Sequence, residues 1–181
     1  MSLLLLDGIL LGLVAGLVAG GSLRRLGNTH LRGEALMLLL LVAQLSIPAL
    51  AERLDVPKTP ALAVWLLTMA GLVLLALWNR HIPGMLLVAI GISLNVLVIG
   101  FNSGMPVSLD AVKWLNPAAV PVFDLLHSPL TERTALAVLA DVVPVPGPSW
   151  HRGVASIGDL ALMFGVALFI HDGMRRVSDA G

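Results

Sequence analysis

The sequence has no cysteine and few charged residues. Because cysteine is absent, disulfides, thiolate metal sites, cysteine nucleophiles and lipidated cysteines are all excluded. Charged residues make up only 12% of the chain and hydrophobic residues 57%, whereas soluble domains carry about 25% charged residues. The formal net charge is zero, so no nucleic-acid partner is expected. This composition predicts a polytopic membrane protein with membrane lipids as its partners.

Familiar catalytic and metal-binding motifs are also missing from the sequence. The histidines are scattered and form neither an H-x3-H nor an HExxH ligand set. The chain contains no G-x-S-x-G nucleophile elbow and no G-x-x-x-x-G-K-[ST] phosphate loop. We therefore expect no metal site and no cofactor.

Five apolar stretches approach the roughly 20 residues that a membrane helix needs. No basic residue precedes the first stretch, and Arg24 and Arg25 follow it. This order is the reverse of a signal peptide, so we expect a retained first helix. The sequence predicts an all-α fold, a polytopic membrane helix bundle of about five transmembrane helices in a single domain over residues 1–181. The expected spans are 3–21, 34–51, 61–78, 84–101 and 154–171.

The distribution of lysine and arginine predicts the orientation, because cytoplasmic loops are enriched in both residues. If the N-terminus lies outside, the short inner segments carry six of the 11 basic residues and the much longer outer segments carry five. We therefore expect a multi-pass protein of the cell membrane with its N-terminus outside and its C-terminus cytoplasmic. The inner residues are Arg24, Arg25, Arg32, Arg80, Arg175 and Arg176.

The region 102–153 is long, proline-rich and only moderately apolar. Loops beyond about 15 residues usually carry structure or function. Two segments have apolar residues at helical spacing but are too short to span a membrane: "SLDAVKWL" (108–115) and "LTERTALAVLAD" (130–141), the second opened by Thr131. We expect interfacial or re-entrant helices here, followed by an extended approach through "PVPGPSW" (144–150) to the last helix.

Glycine recurs at every fourth position of the first predicted helix. Gly8, Gly12, Gly16 and Gly20 form a ribbon of small residues that lets another helix approach closely. Packing within the bundle is the expected role. A homo-oligomer or a membrane partner that uses the same face is the alternative.

Polar residues within or near the spans are candidates for a functional site, because they are costly inside a membrane. In the expected orientation, Asp7, Asn102, Asp141 and Asp159 fall at one depth near the outer face, where they could line one cavity. Asn95 lies two helical turns before Asn102, on the same helix face. The binding candidates are Asn102, Asn95, Ser156 and Asp7.

Structural roles account for the same residues. Asn95 could hydrogen-bond a neighbouring helix, a contact worth about 1 kcal/mol. Ser156 and Asp159 have the S-x-x-D spacing of a capping box. Asp7 and Asp141 could be solvated residues at the membrane interface. The sequence leaves the structural and the functional interpretation open.

Asp141 and Asp159 are the catalytic candidates. Two carboxyl groups that meet in a low-dielectric site cannot both ionise cheaply, so one becomes an acid and the other a base that acts through a shared water. Such a pair hydrolyses amides without a metal or a nucleophilic serine.

Four segments resemble an uncharacterised family of small bacterial multi-pass membrane proteins. They are "GGSLRRL" (20–26), "FNSGMPVS" (101–108), "LADVVPVPGP" (139–148) and "SIGDLALMFG" (156–165). The resemblance covers most of the chain. It implies a shared fold and a shared site, without an assigned function.

A second, partial resemblance covers the C-terminal aspartates. Asp141 and the later segment "SWHRGVASIGDLALMFGVALF" (149–169) resemble the end of lipoprotein signal peptidases, which are membrane aspartic peptidases. The resemblance implies a dyad of Asp141 and Asp159, with Ser156 where that family has asparagine. It also implies an assisting role for Asn102 in "FNSG". The chain has no counterpart of that family's G-N-x-x-D-R motif.

Two functions follow from these observations, and whether the chain is an enzyme stays open. In the first, a polar Asn/Asp pocket near the extracytoplasmic face binds a lipid, a hydrophobic small molecule or a partner subunit. The alternative is a membrane aspartic peptidase that uses Asp141 and Asp159. Transport would require oligomerisation in so small a chain, and no inverted repeat supports it.

Overall fold

Seven α-helices dominate the computed structural model, which describes residues 4–120 and 123–176. The predicted all-α fold is confirmed. The helices are α1 (Leu4–Val18), α2 (Leu23–Gly27), α3 (Glu34–Arg53), α4 (Lys58–Trp78), α5 (Met85–Asn102), α6 (Leu109–Leu115) and α7 (Ile157–Arg175).

Four helices in the described part of the chain, α3, α4, α5 and α7, are long and apolar enough to cross a membrane. Helix α1 is shorter, with 15 described residues, and ends at Val18 rather than at the predicted residue 21. The chain turns there because Gly20 is left-handed, with φ at 74°. The N–H of Gly21 then donates to the Gly16 carbonyl at 2.8 Å and closes the last turn. The five predicted spans are therefore four long helices and one shorter apolar helix.

The four long helices and α1 pack side by side in the order α3, α4, α5, α7, α1. Helices α3 and α1 form the two edges of this curved layer. Side chains from all five helices face its concave side. A buried hydrophobic cluster lies between α4 and α5, where Trp65 and Met69 are buried against Ile92 and Ile99.

The glycine ribbon of α1 packs against α7 of the same chain. Gly8, Gly12 and Gly16 are buried, and a Cβ atom added at Gly12 would lie 2.6 Å from the carbonyl oxygen of Ala167. Packing within the bundle is therefore confirmed for these three glycines. A Cβ atom added at Gly20 would have no neighbour within 4 Å among the described residues. A homo-oligomeric contact through this face stays a prediction, and α7 already covers most of the face.

The described part of residues 103–156 forms a layer, here called the cap, at the end of the bundle where α5 ends and α7 begins. Four short strands, which the sequence patterns did not predict, organise it. Three of the four strand segments contain a proline, which disfavours a helix there, and the backbone groups of these segments pair between strands instead. Strand β1 (Met105–Val107) pairs in parallel with β2 (His127–Pro129), and β3 (Val143–Val145) pairs antiparallel with β4 (Gly153–Ala155).

The first helix predicted in the cap is confirmed as α6. Ser108 begins it, and its Oγ accepts a hydrogen bond from the N–H of Ala111 at 3.2 Å. The exposed fraction of Trp114 in this helix is 68%. An interfacial position for α6 stays a prediction.

The second helix predicted in the cap, over residues 130–141, is wrong. The segment contains only a single 3-10 turn at Ala137–Leu139. Leu136 is left-handed with φ at 54°, and the side chain of Asn102 bonds both backbone groups of Ala135 at 2.9 Å. These bonds occupy groups that an α-helix would need, so a tertiary contact overrides the local pattern.

Candidate functional site

A cavity of about 1040 Å³ lies on the concave side of the helix layer, beneath the cap, and is partly open. Ligand pockets measure about 300–1000 Å³, so this cavity is large enough for a lipid-sized molecule. Apolar side chains from the four long helices and from α1 form most of its wall. Examples are Leu5 of α1, Leu41 of α3, Leu72 of α4, Ile92 of α5 and Val166 of α7.

Among the described lining residues, ionisable side chains occur only at the capped end of the cavity. All of them come from the cap or from the first turn of α7, whereas the rest of the described wall carries no ionisable group. The cavity is therefore amphipathic, with a polar end and an apolar interior. The ionisable lining residues are His127, Asp141, His151, Arg152 and Asp159.

Asp141 is held at the polar end by its backbone. Its N–H donates to the Pro106 carbonyl at 2.9 Å, and its own carbonyl accepts from the N–H of Ser108 at 2.9 Å. The residue is only 7% exposed. Its Oδ1 atom is buried and has no hydrogen-bond partner in the described part of the chain. The interpretation of Asp141 as a solvated interfacial residue is therefore wrong.

The environment of Asp141 favours the neutral form of its carboxyl group at physiological pH. Burial, and secondly the negative charge of Asp159, raise the pKa of Asp141 to about 8. Desolvation and a like charge both disfavour the ionised form of an acid. A protonated carboxyl can donate one hydrogen bond and accept others, so Asp141 offers both functions to whatever occupies the cavity.

Asp159 belongs to a closed hydrogen-bond network between α5 and α7. The predicted capping box is present: Ser156 Oγ accepts from the N–H of Asp159 at 2.9 Å, and Asp159 Oδ2 accepts from the N–H of Ser156 at 3.3 Å. Asn95 completes the network, because its Nδ2 donates to Asp159 Oδ1 at 2.9 Å and its Oδ1 accepts from Ser156 Oγ at 2.9 Å. Both oxygens of Asp159 therefore have a structural partner.

Glycine makes this network possible by letting α5 and α7 approach closely. A Cβ atom added at Gly91 would lie 2.5 Å from the carbonyl oxygen of Gly158. A Cβ atom added at Gly158 would overlap the side chain of Asn95. The close approach brings Asn95 within reach of the first turn of α7 and confirms its predicted role in bonding a neighbouring helix.

Asp7 joins α1 to the cap instead of lining the cavity. Its Oδ1 lies 2.9 Å from Nε2 of His151, and both side chains are partly buried. His151 itself lines the cavity and was not among the predicted site residues. The sequence held no signal for this contact, because the two residues are 144 positions apart.

Asn102 does not line the cavity. Its Nδ2 donates to the carbonyls of Val98 at 2.8 Å and Ala135 at 2.9 Å, and its Oδ1 accepts from the N–H of Ala135. The structure thus brings Asp141, Asp159 and Asn95 to one cavity, while Asn102 fastens the cap to the end of α5.

The described side chains offer no ready metal site. Within residues 4–120 and 123–176, no group of three or more His, Cys, Asp or Glu side chains could hold a metal ion. The chemistry that the polar end can supply is a neutral acid beside a carboxylate, bordered by an amide and by basic groups.

Comparison with known proteins identifies the family. Residues 28–171 match the model of a family of unknown function, DUF5317. The chain belongs to the DUF5317 family. The predicted membership of an uncharacterised family is therefore confirmed. An uncharacterized protein of Thermotoga maritima is 39% identical over 99 residues, which cover 54% of this chain and 56% of that protein. The match thus spans about half the length of this curated relative. No solved structure matches the chain.

The region shared with the DUF5317 model contains the polar end of the cavity. It begins after α2 and ends within α7, so it includes Asn95, Asp141 and Asp159. Helix α1 lies outside the matched residues. The contact between Asp7 and His151 therefore joins an element outside the DUF5317 match to the cap within it.

Proposed function

We propose that this DUF5317 protein binds an amphipathic lipid, or another hydrophobic small molecule with a polar head, in the cavity beneath its cap. The apolar wall can cover a hydrocarbon chain, and the polar end can bind the head. One observation carries the proposal: a buried oxygen of Asp141 has no partner among the described residues where the polar end of the cavity begins. An unpaired buried polar group costs about 1–3 kcal/mol, which a ligand's hydrogen bond would remove.

The polar end favours a head that carries a hydroxyl or an amine. Neutral Asp141 can donate and accept hydrogen bonds, and the carboxylate of Asp159 retains lone pairs beyond its two structural bonds. A hydroxyl or an amine on the ligand can form hydrogen bonds with both Asp141 and Asp159. The tail would then extend among the apolar side chains of the five helices.

The arrangement of the helices supports entry from the bilayer. Helices α1 and α3 form the two edges of the layer around the cavity, and only 6% of the most apolar window of α3 is buried. A lipid that enters between these edges would keep its tail in hydrocarbon throughout. Entry of this kind avoids the cost of exposing a long apolar chain to water.

The proposal includes an orientation with the cap on the extracytoplasmic side of the cell membrane. The six arginines expected to be cytoplasmic lie at the opposite end of the bundle from the cap, in or beside the turns that follow α1, α4 and α7. Enrichment of basic residues on the cytoplasmic side supports this orientation. The N-terminus would then lie outside.

Filling the cavity tests the binding proposal. Val166 lines the cavity, and Val166→Phe should weaken binding of a fluorescent lipid to the purified protein by about tenfold or more, a loss of about 1.4 kcal/mol. Val64→Phe is the matched control, because Val64 is 51% exposed on α4 and does not line the cavity. Equal binding by the two variants would contradict the proposal.

A second candidate function is membrane aspartic peptidase activity. Two carboxyl groups line one cavity, and the charge of Asp159 contributes to keeping Asp141 protonated. An acid and a base at one site are what hydrolysis through an activated water requires. Because the C-terminal aspartates resemble those of lipoprotein signal peptidases, a membrane-anchored precursor protein is the substrate to test.

Cleavage of a membrane-anchored precursor protein tests the peptidase candidate. If the dyad is catalytic, Asp141→Asn and Asp159→Asn should each slow cleavage by about 100-fold or more, the usual contribution of an acid–base group. Asp110→Asn, at an exposed carboxylate of α6, should cleave at the native rate. An uncleaved precursor with the native protein would exclude this activity and leave the binding proposal standing.

A further inference from the structure

A second, smaller pocket lies at the end of the bundle opposite the cap. Its volume is about 240 Å³. Three separate segments build it: α2 with the residues that follow it, the turn between α4 and α5, and the end of α7. Polar and basic side chains predominate among its lining residues, which are Arg25, Asn28, Thr29, His30, His81, Ile82 and Arg176.

Tertiary contacts hold these segments in place around the pocket. The side chain of Asn79 is fully buried and bonds both backbone groups of Arg32, at 2.8 and 2.9 Å. This contact fastens the segment before α3 to the turn after α4. The N–H of Ser22 donates to the Met174 carbonyl at 2.9 Å and fastens the start of α2 to α7. The basic side chains therefore converge from a fixed backbone.

In the described part of the chain, more positive than negative charge lies around this pocket, because six arginines and two acidic side chains lie at this end of the bundle. Arg25 and Arg176 are permanently charged, and two histidines lie beside them. Two acidic side chains lie against lining residues: Asp172 pairs with Arg176 at 2.5 Å, and Glu34 is 4.0 Å from Nδ1 of His30. Further arginines surround this end of the bundle, and they make the local potential more positive. They are Arg24, Arg32, Arg80 and Arg175.

We propose that this pocket binds a phosphate-bearing anion, either the headgroup of an anionic phospholipid or a free phosphate compound. Arginine is suited to phosphate because its planar fork donates two parallel hydrogen bonds. Asn28 and Thr29 supply neutral polar groups on the same wall. In the proposed orientation the pocket faces the cytoplasmic leaflet, where basic pockets between membrane helices bind anionic headgroups.

Phosphate-dependent binding to the purified full chain tests this assignment. Phosphatidylglycerol is compared with a diacylglycerol of the same acyl chains by native mass spectrometry, so that binding of the acyl chains in the large cavity cancels. Inorganic pyrophosphate is the soluble probe. The test variant is Arg25→Gln with Arg176→Gln. The control is Arg24→Gln with Arg175→Gln, which removes the same charge from neighbouring arginines outside the pocket lining.

The pocket variant should lose the phosphate-dependent part of binding by about tenfold or more, equivalent to about 1.4 kcal/mol, while the control keeps most of it. Loss with phosphatidylglycerol alone identifies a lipid headgroup, and loss with pyrophosphate identifies a free anion. Equal losses in both variants, or no preference for the phosphate-bearing probes, would overturn the proposal. If the double variant does not fold, the single variants replace it. Arg25→Gln should then lose more phosphate-dependent binding than Arg24→Gln. Neither result depends on ligand binding at the capped end.

Discussion

Replacing Asp141 with asparagine should make the protein more stable at pH 8 than the native chain. The pKa of this carboxyl is raised from 3.8 to about 8, first by burial and second by the charge of Asp159. The folded state holds the proton of Asp141 more tightly than the unfolded state does. The contribution of this carboxyl group to the free energy of unfolding is therefore fully present below pH 3.8 and is lost as the pH rises to about 8. Asparagine does not titrate, so the variant does not lose stability in this way as the pH rises.

The difference in stability between Asp141→Asn and the native chain should therefore grow from pH 4 to pH 8 and then level off. One pKa unit corresponds to about 1.4 kcal/mol, so a gain of a few kcal/mol is expected at the upper end. Thermal unfolding in a neutral detergent, followed by circular dichroism, measures it. Groups that do not interact with Asp141 contribute equally to both proteins and cancel in the difference.

Asp110→Asn is the control for this experiment, since that carboxylate is exposed and the substitution should leave the pH profile unchanged. A constant difference between Asp141→Asn and the native chain at every pH would show that Asp141 is ionised in the folded protein. A residue whose replacement stabilises the fold is one that the fold retains at a cost, as is common at functional sites.

Replacing Gly12 with valine should separate α1 from α7. A Cβ atom at this position would lie 2.6 Å from the carbonyl oxygen of Ala167 and 2.9 Å from Cβ of Ile170. Backbone atoms cannot move aside as a flexible side chain can. The loss in the free energy of unfolding should therefore be at or above the upper end of the range of about 1–3 kcal/mol that is typical for overpacking. We expect a lower unfolding temperature and loss of the contact between Asp7 and His151.

Gly100→Val provides the matched control for Gly12→Val. Gly100 lies in α5, and an added Cβ atom there meets nothing within 4 Å in the described part of the chain. Both variants make the same change in helix propensity, so their difference isolates the contact with α7. Equal unfolding temperatures for the two would refute close packing of α1 on α7.

Local patterns predicted the elements of this protein well where the chain is apolar. Long hydrophobic runs become helices because only internal hydrogen bonding satisfies the backbone in hydrocarbon. The spacing of Ser156 and Asp159 predicted the capping box, because both partners lie within one helical turn. The spacing of the glycines predicted close helix packing, which α7 provides.

Apart from α6, local patterns did not predict the structure of the cap. The apolar spacing of residues 130–141 favours a helix, yet the side chain of Asn102 forms hydrogen bonds with both the N–H and the carbonyl of Ala135. The prolines of 143–155 indicated extended chain but not the pairing of β3 with β4. In both places a partner distant in sequence decides the local conformation.

The sequence by itself determined an all-α fold with long apolar helices, because hydropathy, capping and glycine spacing act over a few residues. Only the tertiary structure decided which polar groups meet. Asn95 reaches Asp159 across 64 positions, and Asp7 reaches His151 across 144. Asp141 is buried because of its place in the cap, beside the cavity. These contacts depend on how closely whole helices pack and on how the cap strands pair, and no short stretch of sequence specifies either.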